Sequence, residues 1–353
     1  MSAARYTVVH TDARTGQIKA TLPVTGINYS ETLNAEGSAS VGIPLNCPEA
    51  DPLSLVPGAS GLAILRDGVP VWGGIIWTAA ADLAGGTLTL NAAGYHSHYK
   101  GRALHDGYSR RGDQAALVKD WVNACNADNG IGTDVAQFAN TGRERFRSWT
   151  EYELKNVAEA IQQLAEDDGG FNFRYVPYIK PNGYIGNRLL KSERGGIAIP
   201  SALVHGGNCD VTQVSYDGAA MATRAYAVGA DNGNGTKLVG IKDNLDLASR
   251  MPTKYVVASF NDVKYTETLL NKAAAIISAG REPVAIPSLT LYPGVFNPTS
   301  FVPGDSGAVQ VDYGYVALLD DFVVTERRTN VNVNGMETTT LALANKELFT
   351  NAH

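Results

Sequence analysis

The sequence predicts a β-rich α+β protein in which two related antiparallel β modules, residues 1–99 and 209–353, flank a middle α+β domain, residues 100–208, with a helical insertion at about 261–285 in the second module. Three observations predict it. The stretch "SLVPGASG" at 54–61 returns as "SFVPGDSG" at 300–307, matching in six of eight letters. Thirty-seven glycines and fifteen prolines lie scattered between short apolar runs, as strands and tight turns require. Apolar spacing changes from period two to a helical period only in the middle of the chain and around residues 265–280.

The first module opens with "ARYTVVH" and "GQIKATL" around a turn at Thr15-Gly16, followed by "TGINYSETL" and "SASVGIP". After the first copy of the repeat come strands at Leu62–Arg66, Val69–Thr78 and Thr87–Asn91, separated by Asp67-Gly68 and a loop closing at Gly85-Gly86. The Asp-Gly pair supplies the positive φ angles of a hairpin turn. Trp72 and Trp77 fall inside an apolar strand run and read as buried.

From Arg111 the pattern turns helical. Asp113 caps a helix whose inner face is Leu117, Val118, Trp121, Val122 and Cys125. In "SWTEYELKNVAEAIQQLAEDDGG", Thr150 and Glu153 read as a capping box, Leu154, Val157, Ala158, Ile161, Leu164 and Ala165 as the apolar stripe, and Gly169-Gly170 as the stop. A hairpin turning at Asn182-Gly183 follows, with Phe171, Phe173 and Tyr175 on one side.

The second module is expected to begin near "MATRAYAVG" and to turn at "DNGNG". A helix capped by Thr266, with Leu269, Leu270, Ala273 and Ile277 facing inward, closes at Gly280 and reads as an added lobe. The second copy of the repeat then leads through Ala308–Asp312, a turn at Gly314, Phe322–Arg328, an Asn334-Gly335 turn and Glu337–Ala344. Both copies end in a Thr/Leu-alternating strand, "GGTLTL" and "TTTLAL", with one face buried. Pro57, Gly58 and Gly61, with Pro303, Gly304 and Gly307, are therefore expected to be structural turns of a duplicated unit.

No chemistry assembles from the remaining signals. "GDSG" at 304–307 has the letters of a serine-protease nucleophile loop, but the sister copy carries Ala59 in place of Asp305, so Ser306 reads as part of a turn. His96 and His98 in "YHSHY", taken as strand residues, would share a face and could both reach one ion, yet only His105 and Asp106 lie near as further ligands, and no metal is expected. The acidic pairs Asp167-Asp168 and Asp320-Asp321 diverge in direction and make no catalytic dyad. "RGD" at 111–113 is absorbed by the cap at Asp113; "GADNGNG" leads into a strand rather than a phosphate-binding helix. The cluster Arg143, Arg145, Phe146, Arg147 and Trp149 is short and precedes a helix in an acidic chain, so it reads as a solvated or interface face rather than a nucleic-acid site. With 44% hydrophobic and 18% charged residues the chain is folded, and its formal charge of −6 gives no attraction for nucleic acid or an anionic membrane. The N-terminus has no signal-peptide pattern, which implies synthesis in the cytoplasm. Cys47, Cys125 and Cys209 lie far apart and read as reduced thiols. The expectation is a protein that is not an enzyme and takes no cofactor.

The segment "LVPGASGLAILRDGVPVWGGII" resembles the N-terminal β-barrel of tail-tip hub proteins of long-tailed bacteriophages. "ELKNVAEAIQQLAEDDGGFNFRY" is similar to the helix-then-strand of their middle domain, and "FVPGDSGAVQV" with "VVTERRTNVNVNGMETTTLALA" resembles their second barrel. The style is similar to minor tail proteins of siphophages of actinobacteria. The resemblance implies two small β-barrel modules per chain and a homotrimer in the virion's tail tip. Two modules in each of three copies give six like units, the number that matches a six-fold tail tube above a three-fold fibre or spike. Implied partners are the chain itself, distal tail or tail-tube proteins, and a central fibre, spike or tape-measure protein around the DNA passage, whose lumen an acidic surface would suit. Related hubs often carry a lysin or receptor-binding extension; this sequence ends just after "LALANKELFTNAH", so those activities are expected of other proteins. A non-catalytic carbohydrate or cell-wall-binding β module is the rival, and it would need aromatics exposed on a flat face.

Overall fold

The computed structural model describes residues 4–346 apart from 167–168, 195, 200, 220, 232, 261–262, 264 and 282–283. Seven strands come first: β1 (Tyr6–Asp12), β2 (Ile18–Leu22), β3 (Gly26–Thr32), β4 (Ser38–Pro44), β5 (Ser60–Arg66), β6 (Val69–Asp82) and β7 (Thr87–Gly94). Their inward faces meet around Val8, Tyr29, Val41, Leu62, Trp72 and Leu90, all buried. Asp67 and Gly68 both have positive φ, 52° and 80°, so the β5–β6 hairpin has the tight turn its letters call for. Trp72 is sealed inside and donates its indole N–H to the Ser30 carbonyl at 3.0 Å.

The middle segment holds α1 (His96–Lys100), β8 (Ala103–Leu104), β9 (Tyr108–Asp113), α2 (Gln114–Ala127), β10 (Glu144–Trp149), β11 (Lys155–Asn156), α3 (Val157–Glu166), β12 (Asn172–Ile179) and β13 (Ile185–Ser192). Asp113 caps α2, its Oδ1 accepting the Ala115 N–H at 2.8 Å. The inward faces of α2 and α3 pack with Phe138, Phe171 and Phe173 into one core. The expected capping box at Thr150 and Glu153 does not form. Residues 151–153 make a separate 3-10 turn without a side-chain cap, and Leu154 follows in the left-handed region. The helix begins at Val157, with the Asn156 side chain accepting the Glu159 N–H at 3.1 Å. Leu154, expected in the apolar stripe, is exposed instead.

The rest comprises β14 (Leu203–Val204), β15 (Cys209–Asp217), β16 (Arg224–Asp231), β17 (Lys237–Asp243), α4 (Leu245–Ala248), β18 (Tyr255–Ser259), α5 (Thr266–Ala279), β19 (Val284–Leu291), β20 (Ser306–Tyr313), β21 (Val316–Val331) and β22 (Glu337–Asn345). The segment expected to open the second module folds otherwise. β16, β17 and β18 form their own three-stranded sheet with α5 packed on it, so the lobe inserted between β15 and β19 includes them as well as the helix. Thr266 is the first helical residue rather than the cap, and Leu270 faces solvent.

Thirteen strands join in a single sheet whose main path runs β15-β19-β22-β21-β3-β4-β7-β6-β5-β1-β2, with β20 on β21 and β14 on β20. Among the described residues neither half closes into a barrel, contrary to the two-barrel expectation. The ladder of each half opens into the other where β3 pairs with β21 over six registered residues, Ile27↔Val331 to Thr32↔Glu326. Within this sheet the order β5-β6-β7-β4-β3 in the first half corresponds to β20-β21-β22-β19-β15 in the second. The correspondence reaches single residues. The β6–β7 register slips at Trp77 between Ile76 and Thr78, and the β21–β22 register slips at Thr325 between Val324 and Glu326. Gly58 N–H donates to the Ile76 carbonyl at 2.7 Å and Gly304 N–H to the Val324 carbonyl at 2.8 Å, each just before its bulge. No helix among the described residues is long and apolar enough to cross a membrane.

Candidate assembly surface

Of the six repeat residues singled out, Pro57, Gly58, Pro303 and Gly304 stand before β5 and β20, with Gly58 at φ 84° and Gly304 at φ 104°. Gly61 and Gly307 lie inside those strands rather than in the turns. A Cβ on Gly61 would come within 2.4 Å of Thr11 Oγ1 on neighbouring β1, so its value is close approach.

Charged and hydroxyl side chains fasten the seam between the halves. Glu31 on β3 pairs with Arg327 directly opposite on β21, and Arg327 is almost wholly buried. Glu337 at the start of β22 accepts both Arg66 Nε at 2.8 Å and Tyr6 Oη at 2.5 Å from the first half. Burial, then neighbouring Tyr29 and the Glu337 bond, push the Tyr6 phenol far above its ordinary value; the bond to Glu337 likewise raises Arg66. Glu337 is thus clamped between two side chains of the first half. The middle segment is fixed to the first half in the same manner. Asn34, at φ 54°, accepts the Phe173 N–H at 2.8 Å, and the Gly16 carbonyl accepts the Ile185 N–H at 2.8 Å.

The chemical candidates disperse. His96 and His98 sit on helix α1, not on a strand, so residues two apart point to different sides and share no ion. His96 is buried against Phe173 and Tyr175, its Nδ1 3.3 Å from Tyr175 Oη, and burial lowers both histidines to about 4. His105 is exposed beside Asp106. Among the described residues no group of three His, Cys, Asp or Glu is placed to hold a metal. Ser306 is buried, its N–H bonded to the Ile197 carbonyl and its carbonyl to the Ile199 N–H. Asp320 and Asp321 go separate ways, to Asn345 and Lys346; Asp167-Asp168 lies outside the described residues. In the basic-aromatic cluster, Phe146 is exposed on β10 while Trp149 stacks with Tyr108. Trp77, expected inside, is 44% exposed because it is the bulged residue, and it donates to Ser97 Oγ at 2.9 Å. Cys125 and Cys209 are buried, and burial pushes the Cys209 thiol up to about 11.

What remains exposed is sheet. The outer reach of β6, from Trp77 to Asp82, is exposed on both faces, and the β20–β21 hairpin projects Tyr313, Tyr315 and Leu319. Among the described residues β2 pairs only with β1, while β15 pairs with β19 and meets the 205–206 turn on its other edge only at Cys209 and Val211, so the remaining N–H and C=O groups at the two ends of the main ladder have no strand beside them. Overhanging hairpins and open edges equip a chain for contact with other chains; sequence reasoning missed them because exposure depends on which strands lie side by side.

No protein-family profile matches the sequence, and neither does any curated protein. Solved structures do resemble the fold. A tail protein from Neisseria meningitidis MC58 superposes with a TM-score of 0.61 at 14% identity, covering 98% of both chains. The 43 kDa tail protein of prophage MuSo2 from Shewanella oneidensis gives 0.65 at 12% identity over 97% of this chain and 99% of that one. Prophage tail protein gp18 from Listeria monocytogenes EGD-e gives 0.55 at 12% identity over 95% and 94%. At these identities the likeness establishes a shared fold.

Proposed function

We propose that this chain is a structural subunit of a phage virion, a homotrimeric tail-tip (baseplate) hub that joins a six-fold tail tube to a three-fold fibre or spike and encloses the DNA passage. The observation that carries the reading is the internal correspondence: five strands in the same order, with the same glycine contact and the same bulge, in each half of one chain. Three such chains present six like units, which a six-fold tube can meet while the particle below stays three-fold. Tail proteins, two of them from prophages, that share the fold over nearly the whole chain support it. So does the exposed sheet, which supplies contact area for a neighbour and for tube subunits. The partners are then the chain itself, tail-tube or distal tail proteins, and a central fibre, spike or tape-measure protein. An actinobacterial siphophage as the source rests on the sequence resemblance.

Mass in solution tests the assembly. Sedimentation at high protein concentration, alone and with tail-tube subunits, is expected to give a particle of three times 37.4 kDa, about 112 kDa, or a larger ring containing three copies. A chain that stays at 37.4 kDa under both conditions contradicts the threefold hub.

A further inference from the structure

The lobe inserted between β15 and β19 is built inside out. Along β16, Ala225, Ala227 and Gly229 point toward α5, joined by Gly240 of β17. A Cβ on Gly240 would fall 2.4 Å from the Leu269 backbone, and one on Gly229 would fall 2.7 Å from Leu269 Cδ1, so the helix lies flush on small residues. Period-two alternation then sends the large residues to the opposite face. Tyr226 is registered with Ile241 on one side and Val257 on the other, a single apolar row across all three strands. Val228 and Val239 form the next row, and Tyr255 packs edge-on to Tyr226. Among the described residues nothing covers them: Val257 is 65% exposed, Tyr255 56% and Ile241 45%. A sheet normally keeps its bulky apolar side for the core, so this face is made to be covered by something else.

Size and charge say what covers it. Three strands about 4.8 Å apart and five residues at about 3.3 Å each give a footprint of roughly 250 Å², against about 800 Å² per partner in a stable pair. The face alone is therefore too small to hold two chains together and needs further contact around it. Residues 218–283 contain eight Lys and Arg against six Asp and Glu, a net of +2, which leaves −8 for the remainder of a chain whose total is −6. Lobe repels lobe, and lobe attracts body.

We infer that the open face of the lobe seats on the acidic body of a neighbouring copy of the same chain, as the apolar centre of a larger head-to-tail contact. The inference rests on the threefold reading and names the surface through which the copies meet. Such a heterologous contact, repeated with a threefold rotation, closes a ring. The Arg224–Asp243 pair, 2.5 Å apart beside Tyr255, forms a polar rim at one end of the face.

The test uses the full chain with a photo-cross-linking phenylalanine at position 257, and separately the Val257→Lys variant at this exposed position, its fold checked by circular dichroism. The cross-link is expected to join position 257 to a residue outside 218–283 of another copy. Val257→Lys is expected to raise the concentration needed for association at least tenfold. If copies associate but Val257→Lys associates like the parent, or the cross-link lands on another lobe, the inference fails and the hub reading stands. If the parent chain never associates, with or without tail-tube subunits, both fail. Should Val257→Lys misfold, the cross-link alone decides.

Discussion

Gly304, at φ 104°, and Gly58, at φ 84°, hold a backbone conformation that side-chain-bearing residues rarely adopt, and each delivers its N–H to the carbonyl preceding a bulge. The Pro-Gly letters were legible as turns because that constraint is local. His96 shows the opposite case. Its sequence neighbourhood gave no sign that a helix would bury it under Phe173 and Tyr175, since those residues lie more than seventy positions away. Burial lowers its pKa from 6.5 to about 4, so the unfolded chain takes up the proton first as pH falls. The stability tied to the neutral ring is whole above about 6.5 and is lost progressively down to 4, roughly 2 kcal/mol of it between pH 7 and 5. In His96→Phe the drop in unfolding free energy from pH 7 to pH 5, read from urea melts, should shrink by about that amount. An unchanged drop would show that the ring takes up its proton without penalty in the folded chain.

Among the elements, the hairpins around Asp67-Gly68, Asn182-Gly183 and Asn334-Gly335 were readable from the sequence because two residues set each turn. The pairing of β3 with β21 was not, since its partners are nearly 300 residues apart and either strand alternates as it would at any other place in a sheet. Without that pairing, each half reads as a module of its own. The same blindness assigned "RAYAVGA" to the second module: alternation shows that a strand has two faces, not which sheet it joins. The seam makes a prediction of its own. Arg327→Ala leaves Glu31 without its partner at a mostly buried site and should destabilise the protein by about 3–5 kcal/mol, while Arg327→Met, which keeps the volume, together with Glu31→Gln should recover most of it. Thermal melting of the three proteins checks this; a loss under 1 kcal/mol for the single change would mean that the ladder alone holds the halves.

At the scale of the whole molecule, one sheet carries two like halves, the middle segment is anchored to the first, and a basic lobe grows out of the second. Their arrangement leaves the His, Ser and Asp side chains singled out in the sequence dispersed and much sheet exposed. The measurement that bears most directly on the hub account is electron microscopy of virions labelled with antibody against this chain. The account predicts label at a single position, the tip of the tail distal to the head. Label spread along the tube, confined to the head, or missing from purified virions would contradict it.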